Sequence, residues 1–181
     1  MSRYKFIDIN NLTTLTQNLV QIPTVNPPGN EKDLAEFLTL KLQELGFQVK
    51  NYDVDIGRPN VVGLLQGKVG KKTLMFNGHM DVVPPGNESL WTHDPFSGHK
   101  EDNRIYGRGA CDMKGFIACT LAIAPYFAKE SMKRPIHFSF TFDEETACQG
   151  APLLIAELKK RNIKNAICVV GEPTNMKIID A

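Results

Sequence analysis

Helical and strand-like periodicities alternate along this chain, and that alternation restricts the fold more than any other feature of the sequence. Leu12, Leu15, Leu19 and Ile22 recur at helical spacing until Pro23 ends the run. A second helix is expected from a cap at Asn30 through Leu45. It carries Leu34, Phe37, Leu38, Leu42 and Leu45 on one face, with Gly46 as its left-handed stop. Strands are expected over 47–54, 60–65 and 72–77. A long polar loop, 80–103, follows; loops of that length in a compact domain are more often functional than idle. Residues 113–128 read as an apolar, buried helix. Residues 136–142 alternate as a strand, with His137, Ser139 and Thr141 opposite Ile136, Phe138, Phe140 and Phe142. A helix over 151–161, a buried strand over 166–170 and the start of another at 177–179 complete the pattern. Helices alternating with strands imply a layered α/β domain with a substantially parallel sheet, and such sheets gather their sites at the carboxyl ends of strands.

Composition removes several classes of function. The 21 basic side chains nearly balance the 20 acidic ones, and no basic stripe appears, so nothing points to a nucleic-acid partner. The first eleven residues lack the apolar core of a signal peptide. The longest apolar stretch, 115–128, is shorter than the roughly 20 residues of a membrane span and contains Pro125. Cys111, Cys119, Cys148 and Cys168 are scattered without a paired motif. They read as reduced, mostly buried thiols of a cytoplasmic protein.

Four short motifs carry chemistry. In Gly78-His79-Met80-Asp81-Val82-Val83-Pro84-Pro85-Gly86, His79 offers an imidazole and Asp81 a carboxylate to hold the second ring nitrogen. In Gly107-Arg108-Gly109-Ala110-Cys111-Asp112-Met113-Lys114-Gly115, Asp112 stands where it either caps the following helix or bridges two metal ions. The three glycines of that run signal a close backbone approach. Asp143-Glu144-Glu145 follows a buried strand; either it is a solvated loop, or one carboxylate binds metal while its neighbour acts as general base. In Gly171-Glu172-Pro173-Thr174, Glu172 again leaves a strand end, as a ligand or within an ordinary turn. Taken together, the motifs put His79, Asp112, Glu145 and Glu172 at four strand ends on one rim of one sheet. Nitrogen and oxygen donors without thiolates suit Zn2+, with Co2+ or Mn2+ as substitutes.

These four motifs, in this order and spacing, resemble the zinc-dependent deacetylases, desuccinylases and carboxypeptidases that cleave N-acyl amino acids. Phe116-Ile117-Ala118, Lys133-Arg134-Pro135-Ile136-His137 and Gly171-Glu172-Pro173-Thr174-Asn175-Met176 look most like the acetylornithine deacetylases. The Val82–Gly86 tail with Trp91 is also similar to succinyl-diaminopimelate desuccinylases. The resemblance implies a three-layer α-β-α sandwich with a mixed, largely parallel sheet, of which residues 1–181 are the N-terminal half of the catalytic domain. It implies that His79 and Glu172 hold one zinc, Glu145 the other, and Asp112 bridges them. Glu144 is then the general base and Asp81 the partner of His79. It further implies a cis Asp112–Met113 peptide and a small N-acyl amino acid as substrate, N-acetyl-L-ornithine foremost. A late His ligand, a lid and a homodimer interface are expected outside these residues. His93, His99 and His137 fall outside the matching positions. On this basis the chain by itself is expected to be inactive, as a fragment or a non-catalytic remnant.

Overall fold

The computed structural model describes residues 7–53, 57–69, 72–130, 132–161, 163 and 167–179. Arg3, Lys5, the expected strand ends Val54 and Ala166, and Ala181 lie outside them. In chain order the elements are helices α1 (Ile9–Val20) and α2 (Lys32–Glu44), then strands β1 (Gln48–Asp53), β2 (Pro59–Leu65) and β3 (Leu74–His79). The short strands β4 (His99–Glu101) and β5 (Arg104–Tyr106), helix α3 (Lys114–Lys129), strand β6 (Ile136–Thr141), helix α4 (Gly150–Lys160) and strand β7 (Ile167–Val170) follow.

Local chemistry sets most of these boundaries. The Asp8 carboxylate accepts from the main-chain N–H groups of Asn10 and Asn11 and starts α1 as an ordinary N-cap. Helix α2 begins differently from the expectation. Asn30 does not cap it, and Glu31 at the cap position makes no capping bond. The buried Glu31 carboxylate is instead held by the Arg58 guanidinium at 2.7 and 3.0 Å. Gly46 closes the helix at φ +81°, where a side chain would be strained.

Five strands form one sheet in the order β1-β2-β6-β3-β7. The β1–β2 and β2–β6 pairings are antiparallel; β6–β3 and β3–β7 are parallel. Each parallel pairing needs a crossover, which α3 and α4 supply. Strand β6 lies at the centre and is buried at all six positions, as expected of it, so its polar residues are enclosed along with its apolar ones. On one face Phe138 stacks on Phe47 with ring centroids 5.0 Å apart and meets the Phe76 ring edge-on at 5.5 Å, beneath α2 and α3. The other face carries α4, tied down where Asn60 Nδ2 donates to the Gly150 carbonyl at 2.9 Å. Helix α1 packs on α3.

Four further expectations are corrected. Strand β7, expected to be buried, is exposed at all four positions. No strand forms over 177–179, where Ile178 and Ile179 are exposed beyond the edge strand β7. All four cysteines are free and exposed. The long loop ends in strand β4, which pairs with β5 just beyond it as a separate two-stranded sheet. No helix among the described residues is long and apolar enough to cross a membrane.

His137 is enclosed on the α4 side of β6, and its Nδ1 is buried without a hydrogen-bond partner among the described residues. Burial, reinforced by the charge of Arg161, pushes its imidazole down to about 4. The unfolded ring takes a proton below its ordinary value near 6.5, whereas the folded ring resists until about pH 4. Stability is therefore complete above pH 6.5 and is lost as pH falls across that window, by on the order of 3 kcal/mol. In urea titrations at pH 7 and 4.5, His137→Leu is expected to flatten this pH dependence. An unchanged pH slope contradicts the assignment.

Candidate metal centre

Parallel pairing places the carboxyl ends of β3, β6 and β7 on one rim. His79 is the last residue of β3, Asp143-Glu144-Glu145 follow β6, and Glu172 stands two residues beyond β7. Asp112 arrives by another route. It follows the β4–β5 hairpin and leads into α3, so it does not occupy a fourth end of the main sheet. Nor does it cap α3: the cap position is Met113, with no side-chain bond. The Asp112–Met113 peptide is cis. Side chains at the three glycines of this run would collide with Val20 at Gly107, with Val82 at Gly109 and with the Ala110 carbonyl at Gly115, so the loop packs closely on its neighbours and on itself.

The His79 side chain is only 1% exposed. Its Nδ1 lies 2.8 Å from the main-chain oxygen of Asp81 and 3.5 Å from that residue's Oδ1. A carbonyl oxygen only accepts, so Nδ1 carries the proton and Nε2 is left to face the cluster. There Asp112 Oδ1 is 3.0 Å away, and Glu144 Oε2 and Glu172 Oε1 are each 3.9 Å away. The main chain of Asp81 thus orients His79 more closely than its carboxylate does. That carboxylate is wholly buried and works mainly elsewhere. Oδ1 accepts from the Glu144 N–H at 3.0 Å, and Oδ2 accepts from the Glu145 N–H at 3.0 Å and Asn26 Nδ2 at 2.8 Å.

One ligating atom each from His79, Asp112 and Glu172 lies within 4.8 Å of the other two. Glu145, the other expected ligand, is not part of that group, and Glu144 stands beside it. The electrostatics suit a cation. Burial opposes a charge on His79, but Asp81, Asp112 and Glu172 outweigh it and raise the ring to about 9. Burial raises Glu172; His79 opposes this, while Asp112 and Glu144 add to it. Glu145 is raised by burial and by its acidic neighbours, against the pull of His79. Crowded carboxyl groups of this kind are relieved by a shared cation. A donor set of one imidazole nitrogen and carboxylate oxygens fits Zn2+, and Cys111 is exposed and outside the group.

Several participants had no visible signal in the sequence. Asn26 lies in what reads as a proline-rich loop, yet Nδ2 reaches Asp81, Asp143 Oδ1 at 3.0 Å and Thr146 Oγ1 at 3.2 Å. It is brought there by a short backbone pairing of Thr24–Asn26 with Val82. Arg58 joins Glu31 to Asp143 at 2.7 and 3.0 Å. Despite burial, bonds from Thr146, Asn26 and Arg58 hold the Asp143 carboxyl below its ordinary range. Only the wide sequence separations in this network, not local motifs, define it. His93, His99 and His137 do not join the His79 group.

The family model for peptidase family M20/M25/M40 matches residues 75–180. A succinyl-diaminopimelate desuccinylase of Methylorubrum extorquens is 40% identical over 168 residues, which cover 89% of this chain and 43% of that protein. The protein of the same name from Blochmanniella floridana is 38% identical over 178 residues, covering 95% and 46%. The chain thus spans less than half the length of these curated relatives. Among solved structures, an M20 family metallo-carboxypeptidase from Sulfolobus solfataricus superposes with a TM-score of 0.77 at 25% identity, covering 88% of this chain and 37% of that one. Human carnosine dipeptidase 1 gives 0.76 at 23% identity over 89% and 38%, a likeness of fold.

The three-residue group predicts which variants lose metal. After loading with Zn2+ and dialysis against metal-free buffer, His79→Ala is expected to retain less zinc than the parent chain by elemental analysis, the loss being that of the His79 group. Glu145→Gln is expected to retain as much as the parent chain. Zinc retained by His79→Ala in the parent's amount, or lost equally from both variants, contradicts the ligand set.

Proposed function

Because the chain belongs to peptidase family M20/M25/M40, we propose that it is the N-terminal part of the catalytic domain of a metal-dependent amide hydrolase that removes the succinyl group from N-succinyl-diaminopimelate. The substrate rests on relatives that are 40% identical to it over 168 aligned residues. The chemistry rests on one observation, the approach of Glu144 to within 3.9 Å of a three-residue group of ligating side chains. In this reading His79 and Glu172 hold one Zn2+, Asp112 bridges it to a second, and Glu145 serves that second ion, with Co2+ as an acceptable substitute. A late His ligand, a lid and a homodimer interface come from further chain, and the protein works in the cytoplasm.

Bound there, such ions lower the pKa of water and draw charge from an amide carbonyl. The remaining work falls to this chain's side chains. Glu144 is partly exposed, its main-chain N–H is fixed by Asp81, and no ligand role competes for its carboxylate. It takes a proton from the attacking water as the new carbon–oxygen bond forms. It then returns that proton to the amine nitrogen as the carbon–nitrogen bond breaks, releasing succinate and the free amine. Asp81 touches no reacting atom. It is a positioning residue that fixes where Glu144 and Glu145 begin.

A second reading, hydrolysis of N-acetyl-L-ornithine, is favoured by the segments 116–118, 133–137 and 171–176. A panel of N-succinyl-diaminopimelate and N-acetyl-L-ornithine, with amine release measured on the intact protein, separates the two. The succinyl substrate is expected to show the higher kcat/KM, and a reversed preference moves the assignment to the acetyl substrate. In the intact protein Glu144→Gln is expected to keep its metal and lose about 10²–10⁴-fold in turnover. A metal-free Glu144→Gln protein would make Glu144 a ligand and not the base. The 181-residue chain with added Zn2+ is expected to release no amine from either substrate.

A further inference from the structure

Part of the long loop that the centre does not use carries a second group of ligating side chains. His99 and Glu101 stand two residues apart on β4, and the two-residue period of a strand puts both on one face. The turn at Asp102 and Asn103 has φ of 47° and 60°, and it closes the hairpin so that His99 pairs with Tyr106. His93 reaches in from the preceding loop. Its ring stacks on His99 with centroids 3.9 Å apart and meets the Tyr106 ring at 5.1 Å. Its Nε2 is 3.6 Å from Glu101 Oε2, and one ligating atom of each of the three lies within 4.8 Å of the others.

We propose that His93, His99 and Glu101 form a second, surface site for a first-row divalent cation such as Zn2+, separate from the His79 group. Two imidazoles and one carboxylate are the donor set of three-ligand zinc sites that leave one position open. Donors bonded at about 2.0–2.1 Å around a tetrahedral ion lie about 3.4 Å apart, close to the His93–Glu101 separation already present. Stacked rings do not aim both lone pairs at one ion. His93, on its loop, therefore turns out of the stack, while the strand holds His99 and Glu101 in place. A His–carboxylate contact this exposed adds little to stability by itself, so the arrangement has no strong structural purpose. The inference does not depend on the amide hydrolase reading and stands or falls separately.

Trp91, the chain's single tryptophan, lies two residues from His93 and reports on this site. Titration of the chain with Cu2+, which imidazole sites bind strongly, is expected to quench Trp91 fluorescence saturably. His79→Ala is expected to quench like the parent. His93→Gln is expected to lose the saturable phase, and Glu101→Gln to need more Cu2+ for the same effect, with unchanged far-UV circular dichroism. Zn2+ is expected to shift the ring nitrogen resonances of His93 and His99 and to leave that of His137 in place, a readout that needs no variant. Quenching by His93→Gln equal to the parent's, or unmoved His93 and His99 resonances at saturating Zn2+, overturns the site.

Discussion

The Asp81 carboxylate is fully buried, and a buried charge survives only where its lone pairs are taken by well-placed donors. Here Asn26 Nδ2 and the main-chain N–H groups of Glu144 and Glu145 take them, from residues 55, 63 and 64 positions away in sequence. Against the opposing effect of burial, the His79 ring first, then Asn26 and the two main-chain N–H groups, hold Asp81 below its ordinary range. The loop before α2, the end of β3 and the end of β6 are thereby locked into one geometry. The same residue's main-chain oxygen fixes the proton on His79 Nδ1 and leaves Nε2 for the cluster. One residue thus sets the tautomer of the His79 imidazole and the starting points of two acids.

The rest of the fold supports that lock. Parallel pairing of β6, β3 and β7 sets three chain ends side by side, and the phenylalanine layer under α2 and α3 holds the strands in register. Behind the acids, Arg58 ties Asp143 to Glu31, while Thr146 and Asn26 donate to the same Asp143 Oδ1. The acids that face the cluster remain partly exposed, Glu144 at 42% and Glu172 at 40% of the side chain. Rigidity lies in the buried layer, and the chemistry lies on the open rim above it.

Much of this was legible in the sequence because it is local. Periodicity located the helices and strands, and the four short motifs located His79, Asp112 and Glu172, which the fold gathers into one group. What was not legible depends on contacts between distant segments. The cap at Asn30 gave way because Glu31 found Arg58, 27 residues on. Asp112 follows a hairpin outside the main sheet, because strands of three residues do not reveal which sheet they join. Asn26 carries no mark of its role, since its partners lie 55 and more residues later. The alternation of β6 shows which residues share a side, but not that α4 covers the side of His137, Ser139 and Thr141.

The central claim is that the rim is a metal centre built from one imidazole and carboxylates. Zinc-edge X-ray absorption on the His93→Gln chain, loaded with one equivalent of Zn2+, tests it most directly. The account predicts a first shell of nitrogen and oxygen at about 2.0–2.1 Å, with the outer-shell scattering of a single imidazole. A sulfur shell near about 2.3 Å, or scattering from two imidazoles, would contradict it.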